Sequence, residues 1–343
     1  MGDAGIETWQ EHVTKQMNLD IDWPEFECIK SLPVSPFDQT SNPYLLGLQI
    51  GHESNRDLLH SVAQELHAEG WVAIYTRMAT TILERNLSLI RGRVLVQTLP
   101  SAAYSMEETL AHARLYTKEF HRLGVPRERF CIKILATGPG LNAARILQSE
   151  GIDTLGTAVF GVEQAVACSQ ARCLFISPYF NEVRSMRDPS LWPNVEDPAT
   201  QHPFSRPLAQ MVGLYKHLEK KTGQTQPLIK LAAFRSLKEV DAAARLGCHS
   251  ATVTPAIFTE LCITKYTGGS GKSQAAPFAD QPQPLPLPLT ELDLLAESGK
   301  ILASALEADT VAGGRLSDAI DRFMGAEVSS KNLIESIIAR NVE

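Results

Sequence analysis

The sequence predicts an α/β protein, a single (β/α)8 TIM barrel with additional C-terminal helices. Short apolar runs alternate with longer amphipathic segments along most of the chain, the pattern of a parallel sheet with helical crossovers. About eight such repeats are present, the number that closes into a barrel. The competing open, doubly wound sheet usually carries a glycine-rich phosphate loop after its first strand. Here the nearest glycine-rich segment, ATGPG at 136–140, follows the fourth.

Strands are expected at 18–22, 36–41, 93–98, 130–136, 154–160, 173–178, 228–234 and 250–254. Each is short, bounded by turn residues and rich in Val, Ile, Thr, Leu or Phe. Helices are expected between them, at 54–69, 105–123, 139–150, 162–171, 206–221, 236–246 and 256–263. In 105–123, Leu110, Ala113, Leu115 and Phe120 recur among acids and bases. The segment 139–150 opens on Pro139 and places Leu141, Ala144, Ile146 and Leu147 at helical spacing.

The barrel is expected to occupy 1–264. Residues 265–289, rich in Gly, Ser, Gln and Pro, read as a linker or extended loop. Residues 290–343 carry helical patterns near 290–308 and 315–341. A segment of about 50 residues buries little core alone, so these helices are expected to pack on the barrel.

Composition narrows the function class. A net charge of −7, with no run of Lys and Arg longer than two, argues against nucleic acid or an anionic membrane as partner. No apolar stretch approaches the roughly 18 residues of a membrane span, and the acidic N-terminus is not a signal peptide. The cysteines Cys28, Cys131, Cys168, Cys173, Cys248 and Cys262 form no C-x-x-C pair, so no metal is expected and a reducing compartment, the cytoplasm, is. The oligomeric state stays open, a homodimer included.

Three lysines sit in apolar surroundings: Lys30 in CIKSL, Lys133 in CIKIL and Lys230 in LIKLA. Burial disfavours the ammonium and frees an amine to act as a nucleophile. The bland alternative is a buried stem with its ammonium reaching solvent. Catalytic groups of such barrels lie toward the C-terminal ends of strands. Lys133, three residues before the ATGPG turn, fits; Lys230 lies early in its strand, and Lys30 in a loop-like region before two prolines.

The segment FCIKILATGPGLNAARILQSEGIDTLGTAVFGVEQAVACSQARCLFISPYFNEV (130–183) resembles the centre of the transaldolase family, and DQTSNP (38–43) resembles that family's D-A-T-T-N-P signature. The resemblance covers about 240 residues and fades after 264. It implies a class I aldolase or transaldolase acting on a small-molecule carbonyl substrate without a metal or organic cofactor. It implies that Lys133 forms the Schiff base, that Asn42 and Ser177 contact the substrate, and that Thr157 positions the catalytic water. It also implies that Asp22 in DWPEF moves protons, with Asp20 a rival for that place. Without the resemblance, Asp38 reads as a turn cap, Thr157 as an ordinary strand threonine and Ser177-Pro178 as a strand end.

Three departures bear on substrate. Gln97 stands where ordinary transaldolases have a catalytic glutamate; an amide orients water but is no general base. Tyr179 stands where they have Phe. The fructose-6-phosphate aldolase branch carries both changes and uses the tyrosine as acid/base group. Glu182 replaces the arginine that grips the substrate phosphate, which leaves Arg184 and Arg235 as binding candidates and Arg187 as a further substitute. The reading is therefore a transaldolase-like aldolase acting on a substrate other than a standard sugar phosphate, in a specialised pathway. The alternatives are a true transaldolase of the pentose phosphate pathway and a catalytically degenerate barrel kept as a binding protein.

Overall fold

The structure, a computed structural model, describes residues 7–267, 277–278 and 284–342. Eight parallel strands close into a barrel in sequence order: β1 (Asn18–Asp22), β2 (Gln39–Thr40), β3 (Val94–Gln97), β4 (Phe130–Leu135), β5 (Thr154–Val159), β6 (Phe175–Pro178), β7 (Leu228–Leu231) and β8 (Ser250–Val253). Every expected strand is present. β2 is shorter than expected, although the Phe37 N–H donates to the Leu19 carbonyl at 2.8 Å and the Ser41 N–H to the Leu95 carbonyl at 3.1 Å on either side of it. The 265–289 segment lies mostly outside the described residues.

The helices among the described residues are α1 (Trp9–Val13), α2 (Phe26–Lys30), α3 (Pro43–Ile50), α4 (Arg56–Leu66), α5 (Trp71–Asn86), α6 (Met106–Arg122), α7 (Gly138–Ser149), α8 (Val162–Gln170), α9 (Pro198–Gln201), α10 (Ser205–Thr222), α11 (Leu237–Leu246), α12 (Pro255–Ile263), α13 (Ala296–Ala308) and α14 (Thr310–Val342). Several begin where a side chain caps the first turn. Thr137 accepts from the Gly140 N–H at 3.1 Å, Ser105 from Glu108 at 3.2 Å and Ser236 from Glu239 at 3.3 Å. Lys30 does not lie in a loop: it closes α2, more than half exposed beside Glu27.

Side chains alternate between barrel interior and helix layer, and most of the apolar core lies between strands and helices. A small separate cluster, Leu95, Cys131, Leu155 and Phe175, fills the lower barrel interior. Beside it Lys230 is fully buried and paired with Asp20 at 2.9 Å and Asp38 at 2.7 Å. Neither bland expectation for these residues holds. The Lys230 ammonium does not reach solvent, and Asp38 is no simple turn cap but an interior ion that also accepts from the Arg93 N–H at 2.6 Å. Two carboxylates share one lysine there, and burial pushes the Asp20 carboxyl up to about 6.

The C-terminal helices lie against the barrel's helix layer. α13 packs on α7 and α8, and α14 on α3, α4 and α5. Gly299, at φ +89°, meets Gly138 backbone to backbone, where a Cβ on either would collide with the other. Asn142 donates to the Leu295 carbonyl at 3.0 Å. Further along, Glu327 accepts from the Ser101 N–H at 3.0 Å.

Candidate active site

A cavity of about 300 Å³ opens at the C-terminal end of the strands, where barrels of this class place their chemistry. Its wall includes Asp22, Thr40, Asn42, Tyr44, Lys133, Ser177, Tyr179 and, from α14, Arg322 and Phe323. The volume suits a small molecule.

Lys133 lies inside the barrel on β4 because its neighbours Ile132 and Ile134 face the helix layer. It is 5% exposed, and its Nζ donates to the Ser41 carbonyl at 2.9 Å. Burial pulls its pKa below the usual lysine range, while the Asp22 carboxylate opposes that shift. No carboxylate pairs directly with its amine among the described residues, in contrast to Lys230. Asp22 accepts from the Thr40 hydroxyl at 2.6 Å and lines the cavity. Asp20 does not; it belongs to the Lys230 cluster below.

Gln97 stands opposite Lys133 in the β3–β4 register. It is fully buried, and neither heteroatom of its amide has a hydrogen-bond partner among the described residues. Buried polar atoms normally find partners; Gln97 is not among the residues that line the cavity, and neither is Thr157. Its backbone is fixed from behind: the Tyr116 hydroxyl donates to the Gln97 carbonyl at 3.3 Å.

Thr157 pairs with Ser177 in the β5–β6 register, and the register then slips so that Val159 meets Pro178. Ala158, at the slip, has φ +56°, a left-handed conformation costly for a residue with a Cβ. The bulge is held by fully buried Gln164. Its oxygen accepts from the Phe160 and Gly161 N–H groups at 2.8 and 3.1 Å, and its amide donates to the Ala136 and Ala158 carbonyls at 3.0 Å each. Beyond the bulge the Tyr179 hydroxyl lies 3.3 Å from Thr157 Oγ1. Burial pushes the phenol up to about 12, with Asp22 adding to the rise and Thr157 and Arg322 opposing it.

Asn42 caps α3, accepting from the Leu45 N–H at 3.0 Å while facing the cavity. The two expected arginines are not on the cavity wall. Arg184 is 62% exposed and bridges Glu182 at 3.1 Å to Asp318 of α14 at 3.0 Å. Arg235 lies over the Trp192 ring at 5.1 Å. Arg322 and Tyr44 were not singled out from the sequence. Arg322 sits in a helix whose acids and bases read as a solvated face, and nothing local signals that it turns inward. Among the described residues no group of three or more His, Cys, Asp or Glu is placed to hold a metal ion, and no helix is long and apolar enough to cross a membrane.

A closed barrel with a buried lysine amine that has no carboxylate partner among the described residues, in a small cavity with hydroxyl and carboxyl groups, fits an aldolase-type enzyme of the Schiff-base class. The chain belongs to the Transaldolase/Fructose-6-phosphate aldolase family, whose match spans residues 21–332. It is 26% identical to a transaldolase of Allorhizobium ampelinum over 320 residues, covering 91% of this chain and 93% of the relative. It is also 26% identical to a transaldolase of Gloeobacter violaceus, over 89% of this chain and 76% of the relative. A transaldolase of Rhizobium rhizogenes is 29% identical over 66% of this chain and 70% of its own length.

Proposed function

We propose that Lys133 forms an imine with a small carbonyl substrate and that the enzyme makes or breaks the carbon–carbon bond beside it. The carrying observation is the buried Lys133 amine, lowered in pKa and facing the same cavity as Tyr179 and Asp22. The neutral amine adds to the carbonyl carbon, and loss of water gives the protonated imine. That imine accepts the electron pair of the cleaved bond, so no metal or organic cofactor is called for. Tyr179 transfers protons through a water held by Gln97 and Thr157. Asp22 takes the proton of the hydroxyl on the carbon that leaves as the aldehyde, and returns it to that oxygen when the bond is made. Asn42 and Ser177 hold the donor hydroxyl groups.

The pairing of Gln97 with Tyr179 supports the fructose-6-phosphate aldolase-like chemistry over that of ordinary transaldolases. Glu182 at the family's clamp position, with Arg184 engaged by two carboxylates and Arg235 off the cavity wall, supports a substrate other than a standard sugar phosphate. The second reading, transfer of a dihydroxyacetone unit between sugar phosphates, is favoured by the relatives, which are themselves transaldolases. Turnover of fructose 6-phosphate with erythrose 4-phosphate separates the two. Weak or absent turnover is expected, and rates typical of enzymes on their own substrates, roughly 1–10³ per second, would establish the second reading.

A further inference from the structure

We infer that Arg322, carried to the cavity by the C-terminal helix α14, binds an anionic group of the substrate, a carboxylate or a phosphate. This rests on the proposed imine chemistry at Lys133 and adds the class of substrate: a carbonyl compound with a negative charge at its far end.

The observations are these. Arg322 lines the same cavity as Lys133. Its guanidinium lies over the Tyr44 ring at 5.0 Å. No carboxylate forms an ion pair or hydrogen bond with it among the described residues, although arginines at Arg77, Arg93, Arg114, Arg184 and Arg245 all have such partners. Burial and the positive charge of Arg187 work against its protonated form, while Tyr44 and Tyr179 favour it. A half-buried guanidinium beside a second cation has strong reason to take an anion, and its fork of donors matches carboxylate and phosphate oxygens.

The family's clamp position then acquires a different use. Glu182 does not face a phosphate. It joins Arg184 and, through it, Asp318, one turn before Arg322 on α14. This exposed bridge is weak as a stability device, but it ties the loop after β6 to the helix that presents Arg322. The anion site has moved from the loop after β6 to the C-terminal helix. With the carbonyl at Lys133 and the anion at α14, the cavity selects both ends of the substrate.

The test compares charged and neutral carbonyl probes on the full chain. Glyceraldehyde 3-phosphate is set against glyceraldehyde, and 4-oxobutanoate against butanal, with borohydride trapping read by mass at Lys133. Wild type should reach half-labelling at about tenfold lower concentration with a charged member of at least one pair, as one charge-assisted bidentate contact would give. In Arg322→Met that ratio should fall close to one, with Arg322→Lys between. A ratio that survives in Arg322→Met, or no charge preference in wild type, overturns the inference. So does a loss of both members in proportion, which marks a structural role.

A second readout does not use Lys133. Phenylglyoxal modification of Arg322 should slow in inorganic phosphate or in succinate, and which of them protects tells phosphate from carboxylate. Protection without any adduct at Lys133 would keep the anion site and refute the imine reading. Adducts at Lys133 without protection or charge preference would do the reverse. Neither adducts nor protection would refute both.

Discussion

The Thr157 hydroxyl lies 3.3 Å from the phenol oxygen of Tyr179, on neighbouring strands and across the β5 bulge. In the proposed mechanism the two hydroxyls form a proton relay across the bulge. If Tyr179 is the acid/base group, Tyr179→Phe should lower kcat by roughly 10²-fold or more while leaving imine formation at Lys133 intact. Steady-state turnover and borohydride trapping on the same preparation check this. Loss of trapping together with turnover would make Tyr179 a structural prop instead.

The pH dependence should report Lys133. Burial lowers the Lys133 pKa, so the neutral, nucleophilic amine predominates at lower pH than for an ordinary lysine. Trapping rates should therefore rise with pH and level off below 10.5. Asp22 opposes that shift by favouring the ammonium, so Asp22→Asn should move the rising limb toward acid. Tyr179, pushed up to about 12, stays protonated and should add no limb near neutrality. An unmoved or alkaline-shifted limb in Asp22→Asn would count against the electrostatic coupling.

Most of the barrel was legible because its strands are local signals: apolar runs such as FCIKIL and TLGTAV, bounded by turn residues. Helix α5 was not read. Most of its residues are buried, among them the consecutive Ala73, Ile74, Tyr75 and Thr76, which point to different faces, and Gly70 before it offers no side-chain cap. The site divided in the same way. Lys133, Thr157, Ser177 and Tyr179 follow one another on or just after β4, β5 and β6, inside local motifs whose resemblance to the family suggested them. Asp38 and Arg322 could not be read, because what defines each is remote in sequence: Lys230 for the first, Tyr44 and the cavity for the second.

The buried ion cluster is a stability element with a defined pH signature. Lys230→Met leaves Asp20 and Asp38 uncompensated inside the barrel and should cost about 3–5 kcal/mol near neutral pH. In the folded chain Asp20 holds its proton up to about 6, against about 3.9 unfolded. Its own contribution is therefore present at acid pH and is lost as pH rises from about 4 through 6. Without Lys230 little offsets the burial of ionised Asp20, so the variant loses stability more steeply than wild type as pH rises, and the difference should be smaller at pH 4.5 than at pH 7.5. Urea unfolding at the two pH values measures it, and a gap independent of pH would contradict the coupling of Asp20 to Lys230.

Gln164 is predicted to matter to both fold and chemistry. Gln164→Leu strands two N–H groups and two carbonyls at the bulge. Each buried unpaired group costs about 1–3 kcal/mol, so a loss of about 3 kcal/mol or more is expected in chemical denaturation. Because the bulge sets the Thr157–Tyr179 distance, the folded fraction should also turn over more slowly. A variant as stable and as active as wild type would show that the bulge holds without Gln164.

The central claim is that Lys133 is the imine-forming residue. Borohydride reduction in the presence of a series of small aldehydes and ketones, followed by peptide mass analysis, addresses it directly. The account predicts a reduced adduct on Lys133 with at least one carbonyl compound, absent in Lys133→Arg, and none on the equally buried but ion-paired Lys230. No adduct on Lys133 with any of them, or labelling of Lys230 in its place, would contradict it.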